Sequence, residues 1–347
     1  MKALKSISIA MAMTAAVVAG TVQASQLNIT AWGGSTQAAQ KKVYYDPFSE
    51  KTGVKIIEDS WSGGLGILRT RVQGGNTSWD VVQVEADEMI LGCEEGLLEQ
   101  LDWDKIGQKE DFIPGAAADC GIGAVVWSTG LVYDGKRLNE GPKTWADFWD
   151  LEKFPGKRTL RRGPKYTLEF ALMADGVPGG QVYEVLSTTE GVERAFKKLD
   201  EIKDEIVWWS AGAQGPQLIA SGEVTMGGIY ISRAVSANQA EGTNFQVVWP
   251  GSVYAIDYFV ILSGSKNKEN ATDFLAYATS ADRQKDYPAY GNQGVTNIKA
   301  NELIDPNVLK NLPTAPANQK DALALDPEFW VENIEKLTQR FNVWASR

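Results

Sequence analysis

The segment LNITAWGGST, residues 27–36, decides the fold. Its first six residues are rich in apolar and β-branched side chains and predict a strand that ends at Trp32. The two glycines then make a turn, and Ser35 or Thr36 can cap a helix that reaches Phe48. The first unit of the chain is therefore predicted to be a strand, a glycine turn and a helix.

The same order repeats outward from this segment. A second strand is predicted at 54–59, a helix follows it through Val72, and a third strand is predicted at 79–84. Strands that alternate with helices are typical of a parallel sheet covered by its crossover helices. This part of the chain is therefore predicted to be an α/β layer.

A second α/β layer is predicted after the proline and glycine breaks at 141–142 and 154–157. Its elements are a strand near 159–160, a helix at 167–175, a charged helix at 190–203 and a strand at 224–230. The apolar segment 255–262 is long enough to cross between the two layers. We expect two α/β lobes with a cleft between them, since no short repeat indicates a solenoid.

The N-terminus has the features of a secretory signal. Lys2 and Lys5 precede an apolar run at 7–20, and small residues before Ala24 provide a cleavage site. The run has about fifteen residues, fewer than the roughly 20 of a membrane span, and no cysteine stands beside the cleavage site to carry a lipid. We expect cleavage after Ala24 and a periplasmic mature chain of about 320 residues, which suits two lobes.

Charge and cysteine content narrow the function. The net charge of −10 disfavours nucleic acid and anionic membranes as partners, and it weakly favours a cationic ligand. An even cysteine count in an exported chain favours a disulfide, Cys93–Cys120. Two thiols cannot build a usual zinc site in a chain without histidine, and we expect neither a metal nor a cofactor.

Most enzyme classes find no support in the sequence. The absence of histidine removes the commonest general base and every Ser-His triad, and the glycine pairs match no nucleotide-binding motif. We therefore expect no catalysis. Two alternatives stay open. One is a hydrolase with paired carboxylates, which the sequence does not single out. The other is a bilobal protein that binds an anion or ferric ion, although the adjacent Tyr44 and Tyr45 are predicted to be helical.

Aromatic enrichment points to the kind of ligand. The chain has 12 Trp, 11 Tyr and 11 Phe, several of them at predicted strand ends or in turns. Each ring face attracts an ammonium or guanidinium group by roughly 0.5 to 2 kcal/mol. Several rings together with one or two carboxylates would form an amine-binding site.

Several stretches carry a family resemblance by their order and spacing. They are LNITAW at 27–32, FSEKTGVKI at 48–56, WDVV at 79–82, VVWPGSVYAIDYFVI at 247–261, SKNKENA at 265–271, and YGN at 290–292 followed by Thr296-Asn297. Together they resemble the spermidine/putrescine-binding (polyamine) members of the bacterial periplasmic solute-binding proteins of ABC importers. The resemblance covers nearly the whole mature chain.

The resemblance implies a type II periplasmic-binding-protein fold. Lobe one would hold 26–132 and 257–303, and lobe two would hold 133–256 and 304–347. The ligand would lie at the carboxyl ends of the strands, in a cleft that closes around it. The partners would be a small amine-bearing ligand and the permease and ATPase of the importer, and we expect a monomer.

The resemblance also implies site residues. Trp32 would lie against the methylene chain of the ligand, Asp257 would bind an ammonium group, and Tyr230 and Trp330 would supply aromatic contacts. The full set of expected ligand contacts is Trp32, Gly34, Ser35, Ser62, Glu85, Arg162, Tyr166, Tyr230, Tyr254, Asp257 and Trp330.

One departure from the polyamine pattern changes the expected ligand. The turn after the strand at 159–160 is basic and reads LRRGPKY at 160–166, where polyamine binders of this family carry acidic residues. Because side chains alternate along a strand, at most one of Arg161 and Arg162 is expected to reach the cleft. We include Arg162 among the expected ligand contacts. With Asp257 and Glu85 at the other end, the pattern favours an amphoteric ligand such as 4-aminobutyrate or guanidinobutyrate, while a polyamine stays open.

Overall fold

A computed structural model of the protein describes residues 25–75 and 78–347, so the expected signal peptide lies outside the described residues. Within these residues nine strands join in one sheet. Their bounds are β1 Gln26–Ala31, β2 Lys55–Ser60, β3 Val81–Glu85, β4 Ile122–Asp134, β5 Arg158–Arg161, β6 Ile206–Trp209, β7 Met226–Tyr230, β8 Phe245–Ile261 and β9 Leu323–Ala324.

Helices connect and cover the strands. The α-helices are α1 Gly34–Gln40, α2 Asp46–Thr52, α3 Leu65–Gln73, α4 Ala86–Glu94, α5 Trp103–Ile106, α6 Trp145–Trp149, α7 Thr167–Ala174, α8 Val182–Leu186, α9 Thr189–Asp200, α10 Gln214–Ser221, α11 Ile231–Glu241, α12 Lys268–Ala278, α13 Ala281–Gln284, α14 Pro288–Gly291, α15 Ile298–Glu302, α16 Pro306–Leu309, α17 Pro316–Gln319 and α18 Pro327–Ala345. Lys41–Tyr45 is a π-helix, and Lys109–Asp111, Gly179–Gln181 and Lys203–Glu205 are 3₁₀ turns.

The sheet has two parallel ends joined by antiparallel strands. Its order is β2-β1-β3-β8-β4-β7-β5-β6, and β9 pairs with β8. β1 is parallel to β2 and β3, and β5 is parallel to β6 and β7. These ends are the sheets of two α/β lobes, as the alternation of strands and helices predicts.

Two long strands connect the lobes. Residues 245–248 of β8 pair with the end of β4, and this end of β4 also pairs with β7 of lobe two. Residues 257–261 of β8 pair with β3 of lobe one. β4 and β8 therefore run from one lobe into the other, and Asp257 lies on β8 where the strand enters the first lobe. The division of the chain at 132, 256 and 303 stays a prediction.

Alternation along the strands gives lobe one a core on each face of its sheet. Val81 and Phe259 pack on the side that holds Phe274 of α12, while Val82 and Val260 pack on the opposite side. Side chains point to opposite faces at successive strand positions, so both faces of these strands are apolar and covered. The disulfide Cys93–Cys120 joins the end of α4 to the segment before β4, which confirms the predicted pair.

The core of lobe two is dense in aromatic rings. Trp145 stacks on Phe170 with ring centroids 3.8 Å apart, and Phe341 of α18 packs in the same cluster.

No helix in the described part of the chain is long and apolar enough to cross a membrane.

Local details differ from the sequence prediction. The predicted helix from 35 to 48 continues to Thr52 through the π-helix, and neither Ser35 nor Thr36 caps it, because the first turn begins at Gly33 without a side-chain cap. The backbone N–H of Gly33 instead donates to Gln37 Oε1 at 3.0 Å. β4, β6 and β9 were not predicted from the sequence.

Candidate ligand-binding site

Four parallel strands of the two lobes end at one cavity. β1 and β3 lead into it from lobe one, and β5 and β7 lead into it from lobe two, as open parallel sheets generally place a ligand. The cavity has a volume of about 70 Å³. Its lining residues are Trp32, Thr36, Trp61, Ser62, Glu85, Trp127, Arg161, Ser210, Ala211, Gly212, Tyr230, Ser232, Arg233, Asp257 and Gln293. A water molecule needs about 10–15 Å³ of such space, so the cavity suits a small molecule.

Asp257 is the buried acid of the cavity. Its Oδ2 accepts hydrogen bonds from Trp32 Nε1 at 2.6 Å and Gln83 Nε2 at 2.8 Å, while Oδ1 is buried without a partner in the described residues. Burial and the charge of Glu85 raise the pKa of Asp257 well above its usual value, and the neighbouring donors of Trp32, Gln83 and Trp127 oppose this only in part. In the described part of the chain no cationic side chain pairs with this carboxyl.

A buried hydrogen-bond chain orients Asp257. Tyr45 donates to Gln40 Oε1 at 2.7 Å, Gln40 Nε2 donates to Gln83 Oε1 at 2.6 Å, and Gln83 donates to Asp257. Because each amide accepts on one side and donates on the other, the carboxyl is held in one orientation toward the cavity. Tyr45 thus supports the site from the core rather than acting as a ligand itself.

Arg233 is the buried cation of the cavity. It lies in the first turn of α11, directly after β7, and its Nη2 donates to the backbone oxygens of Trp32 at 3.1 Å and Gly33 at 3.3 Å. No carboxylate among residues 25–75 and 78–347 forms an ion pair with it. Burial lowers the pKa of its guanidinium, and the nearby phenols of Tyr230 and Tyr287 oppose this.

Aromatic rings form part of the cavity wall. The indoles of Trp32 and Trp61 are stacked, with centroids 5.4 Å apart and planes 12° apart. Trp127 and Tyr230, which also line the cavity, meet edge to face at 5.6 Å. Such rings offer flat apolar surface to a methylene chain and attract cations through their faces.

The mouth of the cavity carries charges that pair with each other. Lys165 Nζ lies 2.7 Å from Glu85 Oε2 and 2.7 Å from Asp87 Oδ1, Tyr166 donates to Glu85 Oε1 at 2.7 Å, and Arg161 Nη1 lies 3.6 Å from that oxygen. Burial by itself would raise the pKa of Glu85, but the charges of Lys165 and Arg161 lower it to about 2. These contacts join lobe one to lobe two.

The structure places five of the predicted ligand contacts in the cavity wall: Trp32, Ser62, Glu85, Tyr230 and Asp257. Two others lie directly behind it. Gly34 provides the space that Arg233 fills, because a Cβ at this position would lie 2.4 Å from Arg233 Nη1. Tyr166, which has a φ of 71°, holds Glu85 through its hydroxyl.

Four predicted contacts do not line the cavity. Ser35 is exposed, Tyr254 lies on β8 away from the cavity, and Arg162 faces the outer cleft. Trp330 is fully buried in the core of lobe two, where its Nε1 donates to Glu169 at 2.9 Å. Because side chains alternate along a strand, only one of Arg161 and Arg162 can face the cavity. It is Arg161, the last residue of β5.

Arg233 is the main site residue that sequence reasoning missed. It lies three positions after Tyr230, which was among the contacts expected from the sequence. A cation in the first turn of a helix is unfavourable next to the positive end of the helix dipole, so an arginine there after a parallel strand is a usable signal of function. Trp127 lies on β4, which was not predicted, so its place in the wall could not be found.

The arrangement is suited to binding a small molecule with both a positive and a negative end. Two opposite charges, a stack of indoles and several small polar residues surround a space closed by both lobes. Among the described residues no cluster of His, Cys, Asp and Glu could hold a metal ion. Fold and cavity together define a two-lobed binding protein for a small solute.

Comparison with known proteins agrees with this class. The model of a family described as bacterial extracellular solute-binding protein matches residues 44–317, and the chain belongs to this family. It is therefore a solute-binding protein of the periplasmic type, which binds a small ligand and works with the components of an ABC transporter.

Similar proteins fall into two groups. The chain is 44% identical over 329 residues to the gamma-aminobutyric acid-binding protein of Pseudomonas aeruginosa, covering 95% of this chain and 93% of the relative. The spermidine/putrescine-binding periplasmic protein of Escherichia coli is more distant, with 22% identity and 78% coverage of both chains. The predicted family resemblance is confirmed.

Solved structures share the fold. The PBP MotA from A. tumefaciens B6, in complex with glucopine, aligns with a TM-score of 0.87 and 31% identity over 92% of this chain and 99% of that one. The Atu4243-GABA receptor aligns with a TM-score of 0.81 and 34% identity over 92% and 97%. The two-lobed α/β fold class predicted from the sequence is confirmed.

Proposed function

We propose that the protein binds a small ω-amino acid of the 4-aminobutyrate type as a zwitterion and delivers it to the permease and ATPase of an ABC importer. One observation carries this proposal. Arg233 and Asp257 are opposite charges buried in the same cavity, and within the described residues neither pairs with a side chain of opposite charge. A zwitterion supplies the missing partner to both.

The energetics favour this ligand over a diamine. The unpaired Arg233 guanidinium is a costly buried charge, and burial disfavours the charged form of Asp257. The ligand's carboxylate would pair with the first group, and its ammonium would stabilise the charged form of the second. The carboxylate would meet Arg233 and Arg161, and the ammonium would meet Asp257 and the faces of Trp32 and Trp61. A diamine would leave Arg233 without a partner and would bring a second cation near two guanidinium groups.

The relatives support the same choice. The more similar protein is named for gamma-aminobutyric acid, and a structural neighbour is titled a GABA receptor, whereas the polyamine binder is distant. A guanidino acid such as guanidinobutyrate belongs to the same charge class, because a guanidinium stacks on indole as an ammonium does. We include it as a second ligand.

Other features of the protein follow as proposals. The signal would be cleaved after Ala24, the lobes would divide at 132, 256 and 303, and the mature protein would act as a monomer without catalytic turnover. Incubation of the protein with 4-aminobutyrate should therefore return the ligand unchanged, and a detectable product would contradict a pure binding role.

Calorimetry with ligands of one length tests the charge assignment. 4-Aminobutyrate should bind at one site per chain. Butyrate and butylamine lack one charge each, and both should bind at least about tenfold more weakly, since each leaves one buried partner unsatisfied. Putrescine should be no better than butylamine. If putrescine or spermidine binds more tightly than 4-aminobutyrate, the zwitterion proposal is wrong.

A further inference from the structure

Lys165 is a buried cation that the chain brings to the mouth of its own ligand cavity. It lies on the connection between β5 and α7 in lobe two, and its ammonium contacts two carboxylates of lobe one, Glu85 and Asp87, at 2.7 Å each. Only about a tenth of its side chain is exposed. The geometry is that of a bound primary amine between two acids.

This ammonium lies next to the path of the ligand. Ser62, Glu85 and Arg161 line both the inner cavity and an outer cleft of about 650 Å³, and Asp87 and Lys165 line the outer cleft as well. The Glu85 and Asp87 carboxylates therefore stand where the inner cavity opens outward. A ligand long enough to leave the inner cavity would reach them.

We propose that Lys165 is a specificity-determining residue, whose ammonium fills an amine-binding position formed by Glu85 and Asp87 and so keeps a second ligand amine out. The proposal rests on the proposed function, in that an amine-bearing ligand occupies the neighbouring cavity. A ligand with one amine uses Asp257 alone. A longer diamine finds its second position already occupied by a cation.

The local charges show why removal of Lys165 should open this position. With Lys165, the buried acids Glu85, Asp87 and Glu88 face the two cations Lys165 and Arg161, and burial together with the charges of Asp87 and Glu85 raises the pKa of Glu88 to about 7. Without it, the same carboxylates face Arg161 alone, and a buried acid left without its partner is strongly unfavourable. An incoming primary amine restores the pair through charge-assisted hydrogen bonds.

The test uses the Lys165→Ala variant of the mature protein. Propylamine has the same four heavy atoms as the deleted part of the side chain, and putrescine carries one amine for Asp257 and one for the vacated position. Both should bind the variant at least about tenfold more tightly than they bind the wild type, and both should raise its melting temperature. 1-Propanol, which lacks the charge, should have no effect.

Lys165→Met is the matched control. It removes the charge but fills the space, so it should not gain affinity for propylamine or putrescine. An equal gain in Lys165→Met would overturn the proposal, because the effect would then come from the lost positive charge and not from a vacated site. A folded Lys165→Ala variant that gains no affinity for either amine would overturn it too.

A double variant covers the case in which Lys165→Ala does not fold. The double variant Lys165→Ala/Asp87→Asn has one unpaired carboxylate fewer than Lys165→Ala alone. Its remaining carboxylate, Glu85, can still accept an amine. A gain in propylamine affinity supports the proposal, and no gain contradicts it. The gain is measured without 4-aminobutyrate, so it is independent of whether the wild type binds that ligand.

Discussion

Glu85 at the mouth of the cavity and Asp257 inside it are buried carboxyl groups whose pKa values shift in opposite directions. At the mouth, Glu85 has Lys165, Arg161 and the Tyr166 hydroxyl around it, and its pKa falls to about 2. In the cavity, Asp257 has two neutral donors and no cation in the described residues, and burial raises its pKa well above the usual value. The difference indicates that the Glu85 carboxyl has its cationic partners without a ligand. The Asp257 carboxyl would gain a cationic partner only when a ligand binds.

The largest effect is expected on ligand affinity. Asp257→Asn and Arg233→Gln each remove one charge that only the ligand would pair with. Each should weaken 4-aminobutyrate binding by about 2–4 kcal/mol, measured by calorimetry. Arg162→Ala removes an arginine of the outer cleft and should leave the affinity within about threefold. If Arg162→Ala weakens binding as much as Arg233→Gln does, the assignment of the cationic end is wrong.

In the unliganded protein, the free energy of unfolding should depend more on Glu85 at the mouth than on Asp257 in the cavity. Glu85→Gln breaks ion pairs that exist without ligand and should lower the free energy of unfolding by about 3 kcal/mol. Asp257→Asn, which resembles the protonated acid, should change it little. Denaturant unfolding of both variants measures the contrast, which would be lost if Asp257→Asn were the more destabilising.

The pH dependence of the mouth follows from the same shift. The pKa of Glu85 is lowered from 4.5 to about 2, so its contribution to stability is present above pH 4.5 and is lost as the pH falls through the interval to 2. Glu85→Gln should therefore lose less stability than the wild type between pH 4.5 and pH 2.

Glu169 extends the comparison to a buried carboxyl that forms no ion pair in the described residues and does not line the cavity, although the charge of Lys165 acts on it weakly. It is buried in lobe two, accepts from Tyr183 and Trp330 at 2.9 Å each, and burial raises its pKa to about 7. Its contribution to stability is present below pH 4.5 and is lost as the pH rises through 7. Glu169→Gln should therefore stabilise the protein at pH 8 by about 1 kcal/mol but not at pH 4.5, as thermal unfolding can show.

The smallest effect is a proton released on binding. The raised pKa of Asp257 makes the free carboxyl hold its proton more readily, and the ammonium of the ligand should lower that pKa again. Binding should then release a fraction of a proton, and affinity should rise with pH up to the pKa of the free carboxyl. Calorimetry in buffers of different ionisation enthalpy measures the release. Asp257→Asn should abolish it, and a wild type without release would contradict the assignment.

Sequence reasoning predicted the fold because strand and helix periodicities are local. LNITAWGGST and the later alternation were sufficient for two α/β lobes. β4 was not found because its sequence, IGAVVWSTGLVYD, is interrupted by glycines and carries no clear alternation of apolar and polar residues. Both of its faces are buried, as in other central strands.

The site was predictable only in part, for a physical reason. Trp32, Glu85, Tyr230 and Asp257 lie at strand ends or on a crossover strand, where the fold itself points them toward the cavity. The position of Arg233 in the first turn of α11 is a local signal, but the fact that this turn faces the opposite lobe follows only from the tertiary structure. The choice between Arg161 and Arg162 depended on a strand phase that shifts by one residue, which is the least certain part of any boundary.

The close approach of Gly34 and Arg233 gives a signature that can be looked for in other chains. Gly34 has a φ of 60°, which other residues rarely adopt, and any side chain there would displace a guanidinium that is fixed by two backbone oxygens. The glycine and the arginine, almost two hundred positions apart, therefore depend on each other. Relatives that keep both should share a preference for carboxylate-bearing solutes, and in relatives that lose the arginine only the positive φ would still favour glycine at this position.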